Sequence, residues 1–328
     1  FLKRLVEMAP LKTLPPLYAI LKLLICAAAY VLILFAVAIQ ADTRNADVQI
    51  PTRLSKLAFG SCSKQYKKQV VWDLLLKEKA DAFVWTGDAV YVNGTGGPAE
   101  MSEAFDMQMS NTNYTKFLES GITLNGVWDD HDFGVNDGGE AIAKNDLPQR
   151  LEIFHNFLGT PRDSVRRQRD GLYSSMLFGE ADEQVKVLLL DVRSHRAPYA
   201  MDVGARNTRY WAIVSALARA LSLALGRSTR HRGDILGTEE QWAWLEEELR
   251  DSTAAAHIII SSMQVFSTTP FPESWAYFPQ SRRRLLDLLS KYNPPGLLFI
   301  SGDVHMAELL SGTLRGEEAC GGGGGGGG

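Results

Sequence analysis

The stretch Gly126-Val-Trp-Asp-Asp-His-Asp132 places three carboxylates and one imidazole at four consecutive positions, Asp129 to Asp132. An apolar run, Ile122 to Trp128, comes directly before these residues and predicts a buried strand. Four ionisable groups at the end of such a strand are costly to bury unless something pairs with them. A cation is the simplest partner, so the sequence predicts a metal site here.

The other side chains suited to metal binding also follow predicted strands. Besides 122–128, strands are predicted over 57–62, 82–86, 171–178, 185–190, 256–260 and 296–300, and helices are predicted between them. This alternation indicates an α/β fold, in which ligands gather at the carboxyl ends of the strands. The polar side chains at these ends are Cys62, Asp88, Asp129 to His131, Asp191, Ser262 and Asp303 to His305.

These residues supply a varied set of metal ligands: a thiolate (Cys62), a phenolate (Tyr91), an imidazole (His305) and the carboxylates of Asp88, Asp130 and Asp303. Asp88 is the central candidate for a carboxylate that bridges two ions. Two ions roughly 3.5–4 Å apart can hold the attacking and leaving oxygens of a displacement at phosphorus. Asp303 and His305 are predicted on one side of an extended strand end, because side chains alternate there.

Catalytic roles can be assigned around this set. His131 lies beside Asp130 and is predicted to donate a proton to the leaving alkoxide. Asp129 or Asp132 is expected to orient that imidazole. Arg193 and Arg196 follow the strand that ends at Asp191, and we expect them to hold phosphate oxygens.

Each single residue also has a simpler interpretation. Cys62 alone suits a small buried side chain, and His305 alone suits a hydrogen-bonded core histidine. A thiol enzyme that uses Cys62 with His131 is a further hypothesis, but it gives no role to Asp88, Asp303 or His305.

The N-terminal region predicts a membrane segment. Residues 17–39 are apolar except for Lys22, residues 1–16 form a basic leader, and residues 40–56 read as a polar linker. The basic residues before the segment predict a cytoplasmic leader and an extracytoplasmic remainder, lumenal or extracellular. Cleavage near Ala38 would instead give a secreted protein, and a buried core helix is the third interpretation.

Composition excludes several classes. The 328 residues carry a net charge of −4 and no long Lys/Arg run, so nothing indicates nucleic-acid binding. Three cysteines give no disulfide framework. Residues 315–328 are a glycine-rich, low-complexity tail, and the oligomeric state stays open. An amphipathic helix is predicted over 66–79, with Val70, Val71, Leu74 and Leu75 on its apolar face.

Seven motifs, in order, resemble those of the PhoD-like (alkaline phosphatase D) family of the metallophosphoesterase (calcineurin-like) superfamily. The resemblance spans about residues 57 to 310. The motifs are Phe59-Gly-Ser-Cys62, Trp85-Thr-Gly-Asp-Ala-Val-Tyr91, Trp128-Asp-Asp-His-Asp132, Leu190-Asp-Val-Arg-Ser-His-Arg196, Leu236-Gly-Thr-Glu-Glu-Gln-Trp-Ala-Trp-Leu245, Ser261-Ser-Met-Gln264 and Ser301-Gly-Asp-Val-His305.

The resemblance implies a sandwich of two β-sheets flanked by helices over 57–314, a domain that family members continue past this point. It implies hydrolysis of phosphomonoesters or phosphodiesters with iron (Fe3+) and calcium. His131 would be the acid or phosphate-contacting group. A non-catalytic, membrane-tethered binding protein on the same scaffold is the alternative. The implied metal ligands are Cys62, Asp88, Tyr91, Asp130, Asp303 and His305.

Overall fold

The computed structural model describes residues 46–312, except 251, 268 and 270. The predicted leader and membrane segment, residues 1–39, lie outside this range. Within the described part of the chain, no helix has the length and apolar character needed to cross a membrane. The membrane segment over 17–39 therefore stays a prediction.

The described residues form two β-sheets, of which the smaller is wholly parallel. It contains β2 (Leu57–Gly60), β3 (Ala82–Thr86) and β4 (Thr123–Val127), in the order β2-β3-β4. Each residue of β3 is buried, as expected of a central parallel strand covered on both faces. Because parallel strands need long crossover connections, helices separate these strands in the chain.

The larger sheet has five strands in the order β1-β5-β6-β7-β8. Only β5 and β6 pair in antiparallel fashion. The strands are β1 (Val48–Ile50), β5 (Ser174–Phe178), β6 (Val185–Leu190), β7 (Ala256–Ser261) and β8 (Leu297–Ile300).

One predicted boundary is wrong. Residues 40–56 were predicted to be a linker, but β1 lies within that range and pairs with β5. Just before β1, Asp47 accepts two hydrogen bonds from Arg169, at 2.5 and 2.7 Å, and one from the Ser175 amide. The folded domain therefore begins before Leu57.

Helices cover the outer faces of both sheets and connect the strands. They are α1 (Val71–Glu78), α2 (Pro98–Met109), α3 (Thr112–Glu119), α4 (Asp130–Phe133), α5 (Glu140–Ala143), α6 (Leu147–Phe157), α7 (Arg209–Ala224), α8 (Glu239–Leu249) and α9 (Pro279–Tyr292).

The core is layered. Val84 and Val127 of the small sheet pack against Val187, Leu189 and Ile260 of the large sheet, which joins the two sheets face to face. Aromatic side chains under α1, α3 and α6 cover the other face of the small sheet, and apolar side chains of α8 and α9 cover that of the large one. The α/β class and the pair of sheets flanked by helices are thus confirmed. Because the sheets pack together, the ends of their strands meet at one edge.

Candidate metal centre

A cavity of about 260 Å³ opens at this edge of the sandwich. Asp88 follows β3, Asp130 and His131 follow β4, and Asp303 and His305 follow β8; all five line the cavity. Strands that are far apart in the chain therefore deliver their polar ends to one place, as the α/β pattern predicts.

Two groups of potential metal ligands share one carboxylate. Cys62, Asp88 and His305 form one group, and Asp88, Asp130 and His131 form the other. Within each group the ligand atoms lie within 4.8 Å of one another. Asp88 belongs to both groups, which is the position that a bridging carboxylate needs.

Tyr91 and Asp303 lie next to these groups. The Tyr91 hydroxyl is 3.0 Å from His305 Nε2, and the Tyr91 and His131 rings are 4.2 Å apart between centroids. The Cys62 thiol lies 3.7 Å from the Asp303 carbonyl oxygen. The six residues implied as metal ligands are therefore neighbours at this edge of the structure.

The backbone at four of these residues is left-handed. The φ angles are 58° at Cys62, 51° at Asp88, 71° at Asp303 and 53° at His305. Non-glycine residues adopt such angles uncommonly and at a cost, and they cluster at functional sites. The predicted extended conformation at Asp303 and His305 is therefore wrong, although both residues do line the cavity.

Hydrogen bonds fix the motif after β4. Asp132 is fully buried, and its carboxylate accepts from the Val90 amide at 2.9 Å and the Asp129 amide at 3.0 Å. Asp130 accepts from the Asp137 amide at 2.6 Å. Asp132 thus ties this motif to the segment after β3, while the Asp130 carboxylate is left at the cavity.

Asp129 and Arg193 form a buried ion pair rather than a phosphate-binding arrangement. Arg193 Nε donates to Asp129 Oδ1 at 2.5 Å, and its terminal nitrogens donate to Glu273 at 3.1 and 2.6 Å. Both members of the pair are 0% exposed. Direct phosphate contact by Arg193 is thus a wrong prediction, because its donors are used inside the protein. Asp129 is held by Arg193 and by the Ser262 hydroxyl, at 2.8 Å, so its expected role of orienting His131 is not what the structure shows.

Arg196 is also buried, with 3% of its surface exposed. It donates to the carbonyl oxygens of Asp137, Gly138 and Ala197, and its guanidinium lies 4.5 Å from the Tyr199 ring. Its predicted phosphate contact is wrong for the same reason as that of Arg193. Both arginines instead support the loop that forms one wall of the cavity.

Three charged residues at the cavity were not predicted. Asp137 and Glu273 form a third group of potential ligands with Asp130, and Arg219 donates to Asp137 at 2.8 Å. Asp137 has a φ of 59° and follows the Asp-Asp-His-Asp motif by five residues, so its loop position was a usable signal. Glu273 and Arg219 lie in segments with no pattern that indicates a site.

Burial and mutual repulsion raise the pKa values of the clustered carboxyls. The pKa values of Asp88 and Asp303 lie well above the usual range, because of burial first and neighbouring carboxylates second. Burial raises the pKa of Asp132 to about 8 and, partly offset by Arg193, that of Asp129 to about 6. Asp129 Oδ2 is also buried without a hydrogen-bond partner. Such a cluster fits the binding of cations, which would supply the missing positive charge.

Burial likewise raises the pKa of the Cys62 thiol to about 11 and raises that of the Tyr91 phenol. Without a cation, Cys62 therefore keeps its proton at neutral pH. A thiolate nucleophile needs a lowered pKa, so the thiol-enzyme hypothesis is disfavoured.

Comparisons with known proteins agree with this geometry. No curated protein matches the chain. A solved structure titled "Structure of PhoD" matches with a TM-score of 0.58 at 19% identity, over 79% of this chain and 52% of that one. The chain thus spans about half the length of that protein, and the likeness shows the fold. The family model described as PhoD-like phosphatase matches residues 57–311. The chain therefore belongs to the PhoD-like phosphatase family.

Proposed function

We propose that this protein hydrolyses phosphate esters, as a monoesterase, a diesterase or both, at a multinuclear metal site. The observation that carries the proposal is the shared carboxylate of Asp88, which belongs to two adjacent groups of ligand atoms. Family membership supports the same reaction. When bound, metal ions there would neutralise and polarise the phosphate group.

The donors divide into two chemical classes. Cys62 and Tyr91 offer a thiolate and a phenolate beside Asp88 and His305, a set that suits trivalent iron. Asp88, Asp130 and Asp303 offer the carboxylate oxygens that calcium prefers. The proposed metals are therefore iron and calcium, with the six predicted ligands retained.

His131 is proposed to donate the proton that the leaving alkoxide needs. Its ring is half-buried, lines the cavity and lies against the Tyr91 ring. Its own amide donates to Asp88 at 3.3 Å, so the imidazole is carried by the same short segment that fixes the proposed bridging carboxylate. Asp129, Arg193 and Arg196 act only indirectly, by holding the walls of the cavity.

Two chromogenic substrates test the reaction. The purified full chain is expected to hydrolyse p-nitrophenyl phosphate, bis-p-nitrophenyl phosphate or both, to lose activity on chelation, and to regain it with iron and calcium. Asp88→Asn is expected to lower both the metal content measured by elemental analysis and kcat. Asp106→Asn, at an exposed position on α2, is the matched control. Folded, metal-loaded protein with no turnover of either ester would favour the non-catalytic alternative.

The proposed location is extracytoplasmic, with residues 17–39 as a membrane anchor, or secreted after cleavage near Ala38. The charge pattern of the N-terminal sequence supports this orientation. Protease is expected to digest the catalytic domain in intact cells if the domain is extracellular, and only after lysis of internal membranes if it is lumenal. Digestion after selective permeabilisation of the plasma membrane, but not in intact cells, would contradict the proposed location.

A further inference from the structure

Helix α7 carries its apolar side chains on the side that faces solvent. Tyr210 is 70% exposed, Ile213 55%, Leu217 58%, Leu221 49% and Leu225 56%. Their spacing of three or four residues places them in one stripe along the helix, called here the α7 stripe.

The buried face of α7 is mostly polar. Ser215, Arg219 and Ser222 are buried there beside Ala218, and Leu223 packs against the core. Arg219 donates to Asp137 at 2.8 Å and to the Phe271 carbonyl oxygen. The Ser222 hydroxyl lies 2.6 Å from that of Ser228. A surface helix normally turns its apolar face towards the core, whereas most of the large apolar side chains of α7 face solvent. The exposed leucines thus form a separate apolar face.

The region around α7 is strongly basic. Residues 203–233 contain no Asp or Glu, in a chain whose net charge is −4. Arg206, Arg227, Arg230 and Arg232 are exposed and lie beyond the two ends of the stripe. Arg206 also lies 4.4 Å from the ring of the half-buried Trp211. The arginines of this segment are Arg206, Arg209, Arg219, Arg227, Arg230 and Arg232.

We propose that the α7 stripe docks on a membrane surface that contains anionic lipids. Exposed leucines would enter the boundary of the acyl chains, Tyr210 and Trp211 suit the headgroup level, and the flanking arginines suit lipid phosphates. With 16 residues the helix is too short to span a bilayer but suits one that lies in the interface. A second copy of the chain is a poorer partner, because a two-fold contact would bring the two basic regions together.

This docking does not depend on the proposed hydrolysis. It would nevertheless bring the cavity close to the lipid surface, because Ala212 and Arg219 of α7 line the cavity.

Site-specific photocrosslinking tests the docking. A benzophenone amino acid replaces Leu217 in the full chain, which is then mixed with phosphatidylcholine vesicles that contain phosphatidylserine. The control carries the same amino acid at Leu74 of α1, which is equally exposed at 58%. Both proteins keep residues 17–39, so any anchoring by that segment affects the two alike. Position 217 is expected to give several-fold more lipid adduct than position 74.

A second variant tests the charge. Arg227→Gln, Arg230→Gln and Arg232→Gln together are expected to lower the adduct yield at position 217, since each arginine near an anionic surface strengthens binding roughly fivefold. All three side chains are exposed, so the core is unchanged. Equal lipid adducts at positions 217 and 74 would overturn the proposal. Adducts from position 217 to residues 17–39 or to a second copy, in place of lipid, would overturn it too.

Discussion

At the scale of single residues, Arg193 is a buried cation that stabilises the structure around the site. It neutralises Asp129 and Glu273. Burial alone would raise the pKa of Glu273, but Arg193, together with Arg196 and Arg219, holds it below the usual range. Removing one partner of a buried ion pair leaves an uncompensated charge, and here two carboxylates would lose their partner.

Arg193→Ala is therefore expected to lower the free energy of unfolding by about 3–5 kcal/mol, measured by urea denaturation. Arg284→Ala is the control, because Arg284 pairs with Glu239 at the surface and such pairs contribute about 0–1 kcal/mol. A stable Arg193→Ala protein with a raised KM would instead restore Arg193 as a phosphate-contacting residue.

The raised pKa of Asp132 predicts how the stability of the metal-free protein depends on pH. Its pKa is raised from 3.8 to about 8, so between these values the folded state binds more protons than the unfolded state. This contribution to stability is present at low pH and is lost as the pH rises through about 8. Glu273 and His155, whose pKa values are lowered, act in the opposite direction, but their effect fades above about pH 6.5, the ordinary pKa of histidine.

Urea denaturation of the chelated protein is thus expected to give less stability at about pH 8 than at about pH 6.5. One such carboxyl contributes up to about 1.4 kcal/mol per pH unit. Asp132→Asn should reduce this dependence, and the raised pKa values of Asp88 and Asp303 should preserve the rest of it. The exposed Asp106→Asn should leave it unchanged. Stability that rises with pH in this window would refute the prediction.

At the scale of elements, the turn after β3 depends on close packing at Gly87. Its φ is +103°, and a Cβ there would lie 2.6 Å from the Asp129 Cβ and 3.0 Å from the Ser262 Cβ. The turn that orients Asp88 thus accepts only glycine without rearrangement.

Gly87→Ala is expected to cost more than about 2 kcal/mol of unfolding free energy and to lower metal content, because both strain and steric overlap act there. Gly121→Ala is the matched control. Gly121 has a φ of +76° with nothing within 4 Å of its Cβ position, so only backbone strain, about 1 kcal/mol, applies. Equal losses in the two variants would show that overlap at Gly87 is unimportant.

The sequence predicts the positions of most strands, but it does not predict which face of α1 is buried or that β1 forms the edge of the large sheet. All seven predicted strands are present because their apolar runs are continuous and bounded by turns. The three-residue β1 has too little pattern to detect, and its place depends on Asp47 and Arg169, which lie 122 positions apart. On α1 the predicted apolar face is wrong: Trp72 is buried, whereas Val70, Val71 and Leu74 are exposed. The large indole packs against Phe83 and Trp85, and that tertiary contact outweighs helical periodicity.

At the candidate site, too, some residues are predictable from the sequence and others are shown only by the folded structure. Cys62, Asp88, Asp130 and Asp303 were predicted because each lies within three residues of the end of a strand. Asp137 follows the Asp-Asp-His-Asp motif closely enough to be suspected from sequence. Glu273 lies in a loop and Arg219 on α7, and for these two only the folded structure shows their proximity to the cavity. The two arginines after β6 have the residue type of a phosphate ligand, and only burial shows otherwise.

At the scale of the whole molecule, the proposed metal site would link cation binding to stability. Several carboxyls crowd one cavity, so cations that bind only the folded state should stabilise it. At free metal concentrations about a hundredfold above Kd, the expected gain is about 2.7 kcal/mol. For a domain of this size we expect chelation to lower Tm by roughly 5–10 °C.

Calorimetry with and without chelator measures this change, and re-addition of iron and calcium should reverse it. Asp88→Asn should make Tm nearly insensitive to chelator, while Asp106→Asn should keep the full response. An unchanged Tm in the chelated wild-type protein would show that the cavity holds no cation that contributes to stability.

The convergence of strand ends also sets the order in which the site can form during protein synthesis. Cys62 and Asp303 are neighbours in space but lie 241 positions apart in the chain. Asp303 and His305 come after β8, so a growing polypeptide already contains every described strand of the two sheets before these two side chains exist. Metal capture by the full set of proposed ligands therefore has to wait until the last described strand has been synthesised. A ribosome that stops before residue 303 releases a chain with most of the scaffold but an incomplete ligand set.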